Sequence, residues 1–335
     1  LTQSNMDILQ TISTYKQLGI EEQIDYKKFY LYSLITHSTA IEGSTVTEIE
    51  NQLLFDEGIT APGRTLQEQM MNLDLKAAYE QAFEFAKKHT DYTTNNLCHF
   101  SAIIMKNTGS DYNTPLGSFS AANGDLRLVN VTAGHNGRSY LAYQKVPQAL
   151  NEFCKWLNTE RKKINKKDTI AAYNLSIIAH YRLVTIHPWA DGNGRMSRLV
   201  MNMLQWEFGL IPIKVLKEQK AKYIQALIDA REQENETIFP EVMLQLHNTN
   251  LKAEIAAFVT SIEETNVTKE KTTKLTDRQL IIIQTIQTNP HIAIPEMSRK
   301  TGVTERTIKR DIAYLQSIGL LRRVGGRKEG HWVLD

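Results

Sequence analysis

Cysteine is scarce in this 335-residue chain, which has only Cys98 and Cys154. Both sit among apolar residues of helical pattern, so buried free thiols are expected in place of a disulfide scaffold, and with them a cytoplasmic address. Long apolar runs are also missing. No stretch approaches the ~20 residues that span a bilayer, and no signal-peptide pattern opens the chain. Because it starts Leu1-Thr2 and not at Met, a trimmed or processed end is expected. Zinc-type Cys/His spacing is absent too, and His180, seven residues before His187, reads as a packed helix residue. Overall charge is nearly balanced, with 39 Lys or Arg against 37 Asp or Glu. What the chain does have is an apolar content of 41%, enough for about two domains of roughly 150 residues each.

The densest chemistry lies in His187-Pro188-Trp189-Ala190-Asp191-Gly192-Asn193-Gly194-Arg195-Met196-Ser197-Arg198. Gly192 and Gly194 let the backbone turn tightly enough to aim successive N–H groups at an anion. Behind them, Met196, Leu199, Val200, Met203, Leu204 and Phe208 recur at three- and four-residue spacings. That pattern predicts an amphipathic helix over 195–208 whose positive end faces the same anion. Arg195 and Arg198 put two guanidinium forks within reach of a polyphosphate, and Asp191 offers Mg2+ a hard oxygen. His187 ends a second apolar helix over 170–186, stopped by Pro188, and its imidazole suits a general base. Singly these features are a helix end, a turn and a solvated face. Together, between two apolar helices, they read as a phosphate-handling site.

The segment resembles the signature of the Fic (Fic/DOC) family, His-Pro-aromatic-x-Asp/Glu-Gly-Asn-Gly-Arg-x-x-Arg, at every defining position. Trp189 stands where phenylalanine is commoner. The resemblance implies a mainly helical core that transfers AMP from ATP to a Tyr, Ser or Thr hydroxyl of a target protein or of itself. It implies that His187 deprotonates the hydroxyl and that Asp191 holds Mg2+ between the α- and β-phosphates. It further implies that Gly192, Asn193 and Gly194 form the anion nest, while Arg195 and Arg198 hold the β- and γ-phosphates. In-line attack at phosphorus needs positioning and charge neutralisation more than covalent chemistry, which agrees with this inventory.

Upstream, Ser38-Thr39-Ala40-Ile41-Glu42-Gly43 is similar to the family's inhibitory motif, Ser/Thr-x-x-x-Glu-Gly/Asn. Residues 29–41 carry a helical apolar pattern that Glu42 closes and Gly43 follows, and Thr45-x-x-Glu48 reads as a capping box for the next helix. Presented to Arg198, Glu42 would form a bidentate ion pair in the place of the γ-phosphate and leave ATP misaligned for in-line attack. The opposite activity, removal of AMP with Glu42 positioning a water, stays open. Between the two motifs, Val129, Val131, Gly134, Asn136-Gly137 and Tyr140 give a hairpin signal within 128–147. By resemblance it is the flap that aligns the target peptide. Lys222-Tyr223-Ile224-Gln225-Ala226-Leu227 resembles the family's adenosine-side segment, with Tyr223 a nucleotide contact or a core residue.

Residues 263–276 are polar, almost without apolar periodicity, and read as a linker. Beyond them come helical patterns over 278–288, 294–301 and 305–318, a Thr301-Gly302-Val303-Thr304 turn, and alternation around the glycines of 320–334. This tail resembles a winged helix-turn-helix domain. Val303, Ile308, Ile312 and Leu315 would face its core, leaving Arg306, Lys309 and Arg310 outward, with Arg322, Arg323, Arg327 and Lys328 in the wing. From Thr276 onward there are ten Lys or Arg against six Asp or Glu, a local +4 that leaves −2 for the rest. The asymmetry favours DNA, while protein docking or dimerisation stays open.

The expected layout is mainly α. It has an N-terminal helical region over 1–110 with the inhibitory helix at 29–43, a Fic core with a β-hairpin flap over 111–262, a linker over 263–276 and a small winged helix domain over 277–335. The expected function is an autoinhibited protein adenylyltransferase using ATP and Mg2+. Its expected partners are a target protein, DNA and a second copy of the chain, with no membrane. The alternative is a DNA-binding regulator whose core senses nucleotide, a role that would leave His187 without a task.

Overall fold

The computed structural model describes residues 3–133, 138–165, 167–273, 275–326 and 330–334, without the side chains of 263–273. It is mainly helical and comprises two compact units, Leu1–Ile255 and Ala256–Asp335. The first runs through α1 (Gln3–Gln17), α2 (Tyr26–Ile41), α3 (Glu48–Glu57), α4 (Leu66–Lys87) and α5 (Thr94–Met105). After an antiparallel hairpin of β1 (Asp111–Thr114) and β2 (Gly117–Ser120) come α6 (Val146–Lys163), α7 (Thr169–Ile186), α8 (Asn193–Glu207) and α9 (Lys220–Glu232). α10 spans Ile238–Thr273. The segment read as a linker is therefore helical for most of its length. It contains neither Gly nor Pro, so nothing in it breaks a helix.

α7 lies at the centre because it is apolar over most of its circumference, which forces a helix inside; α8 packs its apolar stripe against it and buries its polar face over the site. Leu175, Ala179 and Leu183 of α7 and Met196, Leu199, Val200 and Met203 of α8 share one core with Leu34 and Ile35 of α2, Leu75 and Tyr79 of α4, Phe100 and Ile104 of α5, and Leu150 and Leu157 of α6. The regions expected over 1–110 and 111–262 thus pack as a single unit. Cys98 and Cys154 are free thiols. Among the described residues, no helix is long and apolar enough to cross a membrane.

One expected cap shifts by two residues. α3 opens at Thr47, whose side chain accepts from Glu50 N (3.2 Å) while Glu50 accepts from Thr47 N (2.8 Å). The box expected at Thr45 and Glu48 does not form. Thr45 is bound to Glu68 of α4, and Glu48 is taken by Ser33 and His37 of α2.

Three histidines are held neutral by burial. Its effect pushes His187 down to about 4 and His247 to about 3, and lowers His180 as well. A depressed histidine contributes stability that is complete above its unfolded value of about 6.5 and is lost as the pH falls toward the folded value. His187 and His247 should therefore each cost about 2 kcal/mol by pH 5. Urea midpoints at pH 7.5 and 5.0 check this; equal midpoints would contradict it.

In the second unit, α11 (Asp277–Thr288), α12 (Ile294–Thr301) and α13 (Glu305–Ser317) precede antiparallel β3 (Leu321–Val324) and β4 (His331–Leu334). Ile282, Ile286, Met297, Ile308, Ile312, Leu315 and Trp332 make its core, with Val303 packed against it. Gly302 takes a left-handed φ of +71°, and Thr304 caps α13 by accepting from Thr307 N. Arg306, Lys309 and Arg310 are exposed. Arg327 and Lys328 lie outside the described residues. Sequence patterning did not reveal Asp311, buried in α13 and paired with Arg278 at 2.5 Å.

Candidate active site

The site begins with two left-handed residues. His187 (φ +53°) ends α7 and Gly192 (φ +79°) starts α8. Asn193, the first residue of α8, staples the loop between them, accepting from Trp189 N (3.1 Å) and donating to Trp189 O (2.8 Å). Trp189 itself is fully buried and its indole donates to Gly124 O (3.1 Å). Gly192 is required twice over, by its φ and because a Cβ there would stand 2.8 Å from Met105 Sδ.

His187 has the chemistry a base needs. Its Nδ1 lies 3.3 Å from Val184 O; a carbonyl only accepts, so Nδ1 carries the proton and Nε2 keeps its lone pair. Burial, with Arg127 and Arg231 adding to it against Asp191, keeps the imidazole neutral at pH 7. The Tyr140 ring lies on it, centroids 3.9 Å apart and planes 15° from parallel.

Arg195 is buried in the first turn of α8. Its Nη2 meets Met105 Sδ (3.0 Å) and lies 3.8 Å from Asp191 Oδ1, while Nε and Nη1 are buried without hydrogen-bond partners. Idle donors on a buried cation are costly, and an anion at the α8 N-terminus would satisfy them. Asp191 is exposed, and its Oδ1 accepts from Gly192 N (2.6 Å).

Arg198, by contrast, is saturated. Nε donates to Ser38 Oγ (2.8 Å), Nη2 to Ser38 O (3.0 Å) and Glu42 Oε1 (2.6 Å), and Nη1 to Tyr223 Oη (3.3 Å). Only one oxygen of Glu42 engages it, a departure from the bidentate pair expected, because Ser38 occupies the Nε edge. Glu42 Oε1 also lies 2.6 Å from where a Gly194 Cβ would stand, so the carboxylate sits over the start of α8. Burial alone would raise the Glu42 carboxyl, but Arg198 outweighs it and holds it below the usual range. Tyr223 is buried, and its hydroxyl also meets His180 Nε2 (2.8 Å). Tyr223, expected as a nucleotide contact or a core residue, is buried and braces Arg198 from behind.

Two groups escaped sequence reasoning. Asn72 of α4 joins Thr39 (2.8 Å), Asn51 (2.8 Å) and Ser44 (3.1 Å) in a buried network that fixes the end of α2, and hence Glu42. Arg127 is buried and ties the flap to the catalytic loop. Its Nε donates to His187 O (2.7 Å), Nη1 to Val129 O (2.7 Å), Nη2 to Leu141 O (2.5 Å) and its backbone N to Pro188 O (3.1 Å). The signal was a charge inside Leu126-Arg127-Leu128-Val129. The flap's flanks pair through Thr132 and Ser139 and through Tyr140 N to Val131 O (3.0 Å); Gly134, Asn136 and Gly137 lie outside the described residues. Arg127→Met is expected to strand three carbonyls, lowering stability by roughly 3 kcal/mol and slowing turnover. An unchanged thermal midpoint and rate would contradict it.

Residues 91–205 match the Fic/DOC family and residues 278–330 an HTH domain. Protein adenylyltransferase fic-1 of Caenorhabditis elegans is 25% identical over 201 residues, 59% of this chain and 36% of that protein. Protein adenylyltransferase Fic of Drosophila melanogaster is 29% identical over 211 residues, 62% and 38% respectively. The chain thus spans well under half the length of these curated relatives. The fold matches that of a Fic-domain-containing signalling protein from Bacteroides thetaiotaomicron, with a TM-score of 0.63 at 21% identity over 76% of this chain and 98% of that one. The motif, the helical core and the family match agree: residues 91–205 carry a Fic/DOC domain match, followed by an HTH domain match at residues 278–330.

Proposed function

We propose that the chain is a protein adenylyltransferase, moving AMP from ATP to a Tyr, Ser or Thr hydroxyl and held off at rest by Glu42. The observation that carries this reading is a neutral, Nδ1-tethered His187 at the end of α7 together with the idle nitrogens of a buried Arg195 in the first turn of α8. The acceptor hydroxyl attacks the α-phosphorus, His187 Nε2 takes its proton, and pyrophosphate leaves. A cavity of about 470 Å³, lined by Tyr140, Val184, Ile224, Leu227 and Arg231 among others, has room for adenosine. Asp191 would hold Mg2+, which neutralises phosphate charge when bound. The adenylyltransferase names of the relatives support the same reading.

ATP labelled at either the α- or the γ-phosphate, supplied with Mg2+ to the parent chain and to Glu42→Gly, tests it. Protein label from the α-phosphate alone is the expected result. Label from the γ-phosphate would make the enzyme a kinase, and none from either would favour the nucleotide-sensing regulator.

A second activity is favoured by the exposed Arg306, Lys309 and Arg310 of α13. We propose that this helix contacts DNA. Replacing all three with Ala should weaken duplex binding and flatten its salt dependence by about 0.9 in log–log slope for each phosphate that is no longer neutralised. Fluorescence anisotropy across a salt series checks it; unchanged affinity and slope would assign the domain to protein docking.

A further inference from the structure

Tyr140 covers one face of the base. Its ring stacks on the His187 imidazole at 3.9 Å, and the Arg231 guanidinium lies over the same ring, 4.7 Å from its centroid. Arg231 is itself clipped to the flap. Its Nη2 donates to Arg138 O (2.6 Å), and Arg138 Nη1 donates back to Arg231 O (3.3 Å). On the other flank, Arg127 holds Leu141 O and Val129 O. The backbone on both sides of Tyr140 is thereby pinned, and the ring has little freedom to leave the imidazole.

The imidazole needs such a restraint. Its side-chain hydrogen bond from Nδ1 to Val184 O is 3.3 Å long, at the weak end of the range. Stacking between aromatic faces, reinforced by a cation over the outer ring, supplies a second fixed point. We propose that Tyr140, clipped by Arg231, is a positioning residue for His187, holding the imidazole in its working orientation and shielding it from water. The inference rests on His187 being the base of the proposed transfer.

Two measurements on the full chain test it. The first is the rate at which diethyl pyrocarbonate labels His187, read by mass spectrometry. The second is transfer kinetics in a Glu42→Gly background. Tyr140→Ala is expected to label His187 several-fold faster and to lower kcat on the order of 10- to 100-fold, as for a misplaced base. Tyr140→Phe keeps the ring and should match the parent in both readouts. An Ala variant that labels at the parent's rate, or whose kcat equals that of the Phe variant, would overturn the proposal. So would a Phe variant as slow as Ala, which would place the role in the hydroxyl. Labelling needs no turnover, so absence of AMP transfer in every variant, with the labelling contrast intact, would count against the adenylyltransferase reading alone.

Discussion

His187→Ala is expected to bind ATP as the parent does and to lose AMP transfer by about 10² to 10⁴-fold, the usual contribution of a positioned base. The groups proposed to hold phosphate, Arg195 and the first turn of α8, do not pass through the imidazole, so affinity should survive. The backbone is a confounder, because position 187 has φ +53°, where alanine is strained and asparagine is tolerated. His187→Asn is the matching control: it keeps the turn and lacks the base. Equilibrium ATP binding together with α-phosphate labelling reads both quantities. Transfer surviving in either variant would remove His187 from the chemistry, and loss of ATP binding in both would make it structural.

The second large effect runs the other way. Glu42→Gly is expected to raise AMP transfer roughly 5- to 150-fold, the factor to which 1–3 kcal/mol corresponds. The substitution removes the oxygen 2.6 Å from Arg198 Nη2 and clears the space above Gly194. Ser38 still holds Arg198 through Nε, so the freed guanidinium stays in place for phosphate. Position 42 follows the last residue of α2 at an ordinary φ of −83°, so glycine there costs the helix little. Glu42→Gln keeps bulk and an acceptor without charge and should lie between parent and Gly. Because Arg198 holds the carboxyl below its usual range, acidification to pH 5 should not relieve the inhibition. A Gly variant no faster than the parent would end the inhibitory role.

How much of this was legible beforehand depended on distance along the chain. The catalytic loop was readable because its chemistry is contiguous: the residue that must be left-handed, the two glycines and the arginines all fall within twelve positions. Helices α8 and α11 to α13 were readable because burial of one face imposes a 3.6-residue period, and α7 because it is an apolar helical run stopped by Pro188. The start of α3 shows the limit. Thr45-x-x-Glu48 and Thr47-x-x-Glu50 overlap in the same six residues, and local propensity cannot choose between them. Glu68, on another helix, does so by taking Thr45.

The sequence by itself determined the inventory: a base, a carboxylate, an anion nest, two arginines, and a glutamate upstream able to compete for one of them. Tertiary structure decided the partners. It left Arg195 with idle nitrogens and Arg198 with none, a distinction two arginines three residues apart cannot carry themselves. It also made Tyr223 a brace, Arg127 a strap and Tyr140 a cover for the base. The physical reason is that periodicity records which face of an element is buried, whereas hydrogen bonds and ring contacts depend on what the fold brings opposite that face, 25 to 160 residues away in the case of Arg198.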